Sequence, residues 1–198
     1  GELTRALRGP ALVNLSELNA AGPEVIFALH SLLDRHRKLE LPNGEVLSLR
    51  EDTYIFGTMN PTSLRDYAGT QSLNKAFADR WVIWDKPFPN KEQLNTIFEK
   101  RYPKLQKEYR DLIIKLATEI NNSFMSDDIS INIETPMSLR TIVERIPIGL
   151  DVYAESSDPL KDTWENFVLP HVNKEDLDHY KTLWNTIVRK GPSKKPQL

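Results

Sequence analysis

Two apolar runs, "ALVNLSE" at residues 11–17 and "TYIFGTMN" at residues 53–60, pass from β-forming residues into polar ones at their carboxyl ends. Each is short enough to be a buried strand. Between them, "GPEVIFALHSLLDRHRK" places Val25, Leu29, Leu32 and Leu33 at helical spacing behind a Gly22-Pro23 start signal. "KLELPNGEVLSL" then sets Leu39, Leu41, Val46 and Leu47 on either side of an Asn-Gly pair, which predicts a β-hairpin. Beyond residue 60, "SLNKAFADR" predicts a short helix and "WVIW" at residues 81–84 a further strand. The order strand, helix, hairpin, strand, helix, strand predicts α/β structure with a partial parallel sheet.

The texture changes at "DKPFPNKEQ", where Pro87 and Pro89 break the pattern. From there the chain reads as helices: "KEQLNTIFEKRY", the long "PKLQKEYRDLIIKLATEINNSFM", "SLRTIVERIPIGLDVYAE" and "KEDLDHYKTLWNTIVRK". Two regions are expected, α/β over residues 1–86 and all-α over residues 87–198. The end, "GPSKKPQL", reads as disordered.

Composition narrows the function classes. In 198 residues, 39% are hydrophobic and 27% charged, which suits a soluble globular chain. A net charge of −2 and a pI of 6.1 give no electrostatic reason to expect nucleic acid or an anionic membrane as partner. The lack of cysteine excludes disulfides, thiolate zinc sites and cysteine nucleophiles, and fits a cytoplasmic protein. No apolar run approaches the ~20 residues that span a bilayer. The four histidines, His30, His36, His171 and His179, lack metal-ligand spacing, and no serine sits in a Gly-x-Ser-x-Gly turn.

In open parallel sheets ligands bind beyond the carboxyl ends of the strands. Ser16 and Glu17 lie at one such end and Asn60 at another. A carboxylate beside an amide can orient a water for attack on phosphate, a reaction that asks of protein mainly positioning and charge compensation. Arg80, before "WVIW", could supply positive charge to a neighbouring subunit.

The run "GELTRALRGPALVNLSELNAAGPEVIFALHSLLD" resembles the second half of an AAA+ ATPase core, a P-loop NTPase fold. There, Gly-x-Leu-x-x-Ala-Leu precedes an apolar strand ending Asp-Glu, then an Asn and a helix. The likeness is nearest the MoxR and dynein-related branch, which carries a β-hairpin before the sensor 1 strand, where "LELPNGEVLSL" stands. "YAGTQSLNKAFADRW" is similar to a run of the cobaltochelatase small-subunit group. The resemblance covers residues 1–86 well and the helical part weakly. It implies that Glu17 is the Walker B glutamate that polarises water, Asn60 the sensor 1 residue and Arg80 the arginine finger reaching an adjacent protomer. "MSLRTIV" resembles the sensor 2 segment of a helical lid, which would make Arg140 a phosphate-contacting arginine.

Two departures qualify the likeness. No Gly-x-x-x-x-Gly-Lys-[Ser/Thr] loop occurs, so the chain reads as a C-terminal fragment lacking Walker A and is expected to be inactive alone. Ser16 stands where the family has the aspartate that holds Mg²⁺, and a neutral hydroxyl is a poorer metal partner. The resemblance implies an ATPase using ATP and Mg²⁺, working as a ring, expected to be a hexamer, on a protein client in the manner of MoxR-like chaperones. The alternatives are a degenerate AAA+ scaffold without hydrolysis, or a nucleotide-driven DNA restriction subunit preferring GTP.

Overall fold

A short helix, α1 (Glu2–Ala6), leads into strand β1 (Leu12–Leu15). A 3₁₀ turn at Leu18–Ala20 follows, and then helix α2 (Pro23–Leu33). Its first residue is a proline, which fixes a helical φ where no N–H is needed. Strands β2 (Lys38–Glu40), β3 (Val46–Ser48) and β4 (Tyr54–Gly57) come next, then helix α3 (Lys75–Ala78). These elements form one of two compact units, Gly1–Asp85; the other is Lys86–Leu198. The structure, a computed structural model, describes residues 1–60, 73–126, 128, 131, 133–188, 191, 192 and 194–198. The portion 67–72 of the "YAGTQSLNKAFADRW" run therefore lies outside the described residues.

β1 and β4 pair in parallel, Leu12 opposite Tyr54 through Leu15 opposite Gly57. Their carboxyl ends thus lie side by side. β2 and β3 pair antiparallel, with Leu39 opposite Leu47 and both side chains buried. The hairpin is as expected, but Asn43-Gly44 does not make a two-residue turn. Pro42 occupies the second position of a Leu41–Gly44 turn, closed by the Gly44 N–H on the Leu41 carbonyl at 2.9 Å. Gly44 sits at φ 80°, where a side chain would be strained.

Two expectations fail in this unit. "WVIW" is not a strand: Val82 is fully exposed, Trp84 is 93% exposed, and among the described residues no ladder includes them. An apolar run becomes a strand only when a neighbour takes up its backbone groups, and none is paired here. On α2 the buried stripe is Ile26, Leu29 and Leu32, while Val25 faces outward. With Leu7, Leu18, Leu39, Leu47 and Phe77 this stripe forms the core of the unit.

In the second unit, helix α4 (Lys91–Arg101) starts in a capping box. The Asn90 carboxamide oxygen accepts the Gln93 N–H, and the Gln93 side chain accepts the Asn90 N–H. Helix α5 (Lys107–Phe124) is the long central one and buries Tyr109, Ile113, Leu116, Ile120 and Phe124. Residues 139–152 are helical throughout, and a π-turn at Thr141–Arg145 opens into α6 (Ile146–Val152). Pro147 explains the local irregularity. It has no N–H for the Val143 carbonyl four residues back, and its ring crowds that oxygen. The Tyr102 hydroxyl donates to the Val143 carbonyl instead, at 2.7 Å. Helix α7 (Pro159–Thr163), a second π-turn at Trp164–Val168, two 3₁₀ turns and helix α8 (Leu177–Ile187) complete the unit. Trp164 is buried and stacks on Trp184, ring centroids 4.9 Å apart.

The carboxyl end also departs from expectation. Gln106 donates to the Lys195 carbonyl at 2.7 Å, the Tyr109 hydroxyl to the Lys194 carbonyl at 3.0 Å, and Pro196 is buried. Polar partners about ninety residues away hold a segment whose own composition specifies no structure.

Candidate functional site at the strand ends

The carboxyl ends of β1 and β4 are laced together beyond the ladder. The Thr58 N–H donates to the Leu15 carbonyl at 3.0 Å and the Leu18 N–H to the Thr58 carbonyl at 2.8 Å. Asn19 then donates through its side-chain amide to the Asn60 carbonyl at 3.0 Å. Leu18 and Asn19 are buried, so the segment carrying Glu17 is pinned on its far side. Gly57 permits this closure, because a Cβ there would meet Leu18 at 3.0 Å and Trp81 at 3.3 Å.

Glu17 itself is left-handed, at φ 54° and ψ 45°. For a residue other than glycine this conformation costs about 1–2 kcal/mol and persists only where the surroundings impose it. The imposed turn leaves the Glu17 carboxylate exposed, with no hydrogen bond or ion pair among the described residues. The Asn60 side chain is likewise exposed and unengaged there. The structure thus brings Glu17 and Asn60 together on adjacent strand ends, each with its functional group free.

Ser16 lies beside Glu17, but its hydroxyl oxygen already accepts from the Asn14 side chain at 3.2 Å. A Mg²⁺ site wants one or two carboxylates together with phosphate oxygens and water. Here the pair offers one carboxylate and one engaged neutral hydroxyl. Among the described residues no group of three or more His, Cys, Asp or Glu could hold a metal ion. These residues do not by themselves fit a Mg²⁺ site.

Arg80 is placed elsewhere. Its guanidinium donates to the Ala76 carbonyl and pairs with Asp34 at 3.5 Å. Asp34 caps the carboxyl end of α2, a helix of 11 residues and therefore about 16 Å long. Arg80 is thus held at the carboxyl end of α2. The Arg35 backbone N–H, and after it the Arg80 guanidinium, hold the Asp34 carboxyl below its ordinary range. Arg140 is exposed in the helical unit, with no ion pair among the described residues. It lines a cavity of about 200 Å³ there with Ser138, Thr141, Arg145, His171 and Tyr180.

A cavity of about 160 Å³ in the first unit is lined by Asn19, Pro23, Ile26, Phe27, Leu73 and Asn74 and includes neither Glu17 nor Asn60. Asn19 is the residue of this site that the sequence undersold. Its signal was an amide two positions beyond the strand-end carboxylate, but only the fold shows that it ties that turn to Asn60.

Comparison with known proteins bears on the same segment. Residues 1–81 match the family described as AAA domain (dynein-related subfamily). The chain is 40% identical to Midasin of Dictyostelium discoideum over 83 residues, 41% of this chain and 1% of that protein. It is 32% identical to Midasin of Giardia intestinalis over 102 residues, 51% of this chain and 2% of that protein. It is 26% identical over 133 residues to the uncharacterized protein YojN of Bacillus subtilis, 65% of this chain and 42% of that protein. The chain thus spans well under two thirds of each of these relatives. The similarity to an AAA domain is thus confined to the α/β part of the chain, residues 1–81. Among the described residues no helix is long and apolar enough to cross a membrane.

Proposed function

We propose that this chain is part of an AAA+ ATPase of the MoxR or dynein-related kind, in which ATP turnover drives remodelling or assembly of a protein client. Residues 1–86 would be the later half of the α/β core and residues 87–198 its helical lid. One observation carries the reading: two parallel strands end side by side, one in a left-handed glutamate and the other in a free asparagine. A carboxylate held in that way can accept a proton from a water, and an amide beside it can hold that water or a phosphate oxygen. A bound nucleotide would supply the phosphoryl group. Glu17 is the base, Asn60 the sensing amide, and Asn19 fixes their spacing. The phosphate loop has to come from outside residues 1–198, since the sequence contains none. Arg80, engaged with Asp34 in its own chain, acts on a neighbour's nucleotide within a ring.

Shared sites have a direct test in the full-length protein. Arg80→Ala should lower ATP turnover by about 10³-fold, the scale of an arginine finger. Mixing Arg80→Ala subunits with Glu17→Gln subunits should restore part of the activity, because some sites regain both groups. Mixed assemblies no more active than the separate variants would remove Arg80 from the site.

A non-catalytic scaffold is the second reading. Two observations favour it: the Ser16 hydroxyl is engaged by Asn14, and Arg80 is held by Asp34 and the Ala76 carbonyl. It requires that the full-length protein show no turnover even with Ser16→Asp.

A further inference from the structure

Gln106 holds the amino-cap position of α5 but makes no capping hydrogen bond there. Its side chain serves another segment. The carboxamide nitrogen donates to the Lys195 carbonyl at 2.7 Å, and the carboxamide oxygen accepts the Gln197 N–H at 3.3 Å. One planar amide thus engages the backbone of residues two apart, as a residue of a neighbouring strand does. Nearly one turn along α5, the Tyr109 hydroxyl donates to the Lys194 carbonyl at 3.0 Å. The residue that Gln106 spans is Pro196, which is buried and has no N–H to satisfy. A proline also biases the residue before it, here Lys195, toward extended backbone, so the segment arrives pre-shaped.

The Lys195 ammonium pairs with Glu155. Both side chains are exposed, so the pair adds little affinity, but it favours a basic residue over an acidic one. Residues 194–198 form no helix or strand, and Lys194, Lys195 and Gln197 are exposed. The segment is therefore held by backbone contacts and one buried ring, not by interlocked side chains. Such contacts open locally at little cost, and any chain that presents the same backbone and ring meets them equally. The receiving side is firmer. Gln106 and Tyr109 stand at the start of α5, whose buried Ile113, Leu116 and Ile120 anchor it in the core of the unit.

We propose that the amino end of α5 is a peptide-docking site for an extended, lysine-bearing proline segment of a partner protein, and that residues 194–198 are the internal stand-in that fills it. Gln106 and the Tyr109 hydroxyl read the backbone, the covered position takes the proline, and Glu155 selects the lysine before it. The site stands on this geometry alone and does not depend on ATP turnover.

The test adds a fluorescent peptide of residues 192–198, Pro-Ser-Lys-Lys-Pro-Gln-Leu, to the 198-residue chain with and without Pro196→Asp, and reads binding by anisotropy. A tethered competitor acts at an effective concentration of roughly millimolar. The peptide should therefore bind the Pro196→Asp chain at least about tenfold more tightly than the unsubstituted one. In the Pro196→Asp background, Gln106→Ala should weaken binding by about tenfold, since it removes two hydrogen bonds. Tyr109→Phe, which keeps the core ring and guards against misfolding, should weaken it by about threefold. The same peptide with its proline replaced by aspartate should not bind. No saturable binding to the Pro196→Asp chain, equal binding to both chains, or binding indifferent to Gln106→Ala and Tyr109→Phe overturns the proposal. Sedimentation tests the choice of occupant. A monomeric unsubstituted chain is expected, and a dimer that Pro196→Asp dissolves would give the site to a second copy's tail and overturn it.

Discussion

Asn60 and Asn121 carry the same side chain to opposite uses. Asn121, buried on α5, donates to the Met137 carbonyl at 3.2 Å and accepts the Met137 N–H at 2.8 Å. Its amide replaces a missing strand partner for one residue of an irregular segment. Asn60 leaves its amide exposed at a strand end, tethered only through its backbone carbonyl. The contrast extends to the two units. In the helical unit Asn121, Tyr102, Tyr180 and Asp176 spend their polar groups on backbone that would otherwise be orphaned. In the α/β unit Glu17 and Asn60 keep theirs free, and Leu12, Tyr54 and Phe56 of the strand pair remain exposed. Satisfied polar groups specify a fold, whereas free ones held in a fixed place can do chemistry.

The sharpest way to break the comparison is to truncate both amides. Asn121→Ala should cost about 2–6 kcal/mol, since it orphans a buried N–H and a buried carbonyl at roughly 1–3 kcal/mol each. Asn60→Ala should stay within about 0.5 kcal/mol, as for an exposed position. Hydrogen exchange resolved by unit measures both, and similar losses would end the distinction. A smaller effect is expected from Asn19→Ala, about 1–2 kcal/mol. It should appear as faster exchange of the Leu18 and Thr58 amides, with the helical unit unchanged.

The smallest expected effects are in pH dependence, and they fall at opposite ends for the two units. In the α/β unit Glu45 is lowered first by its hydrogen bond from Arg8, and Asp52 first by its hydrogen bond from Arg50. Asp34 is lowered as described. A lowered folded pKa gives stability that is present above the unfolded value and lost as pH falls through the folded one. Acidification below the ordinary values of 4.5 for Glu45 and 3.8 for the aspartates should therefore loosen this unit slightly. In the helical unit burial, with Asp158 as a lesser cause, pushes Tyr109 up to about 12, and burial raises Tyr180 as well. A raised folded pKa gives stability that is full below the unfolded value near 10 and lost as pH rises through the folded value. Alkali should loosen the helical unit first. Exchange profiles at acid and alkaline pH with the same order of unit loss would contradict this.

Much of the frame was legible because it rests on local pattern. The two strand runs, the Pro-Asn-Gly reversal and the length of α5 all follow from periodicity and turn chemistry. What was hidden depends on partners distant in sequence. "WVIW" has strand composition but no paired neighbour. Val25 and Ile26 compete for the core face of α2, and spacing alone allows either. The 194–198 segment is ordered by Gln106 and Tyr109, which its own residues do not announce. At the site, Glu17 and Asn60 could be named from strand-end position, yet the left-handed turn and the Asn19 tie needed the fold.

The most direct measurement is steady-state ATP turnover by the full-length protein beside its Glu17→Gln variant. The account predicts turnover in the first and a loss of about 10²-fold or more in the second, the scale of a general base. A full-length protein without turnover, or a Glu17→Gln variant as active as the original, would contradict it.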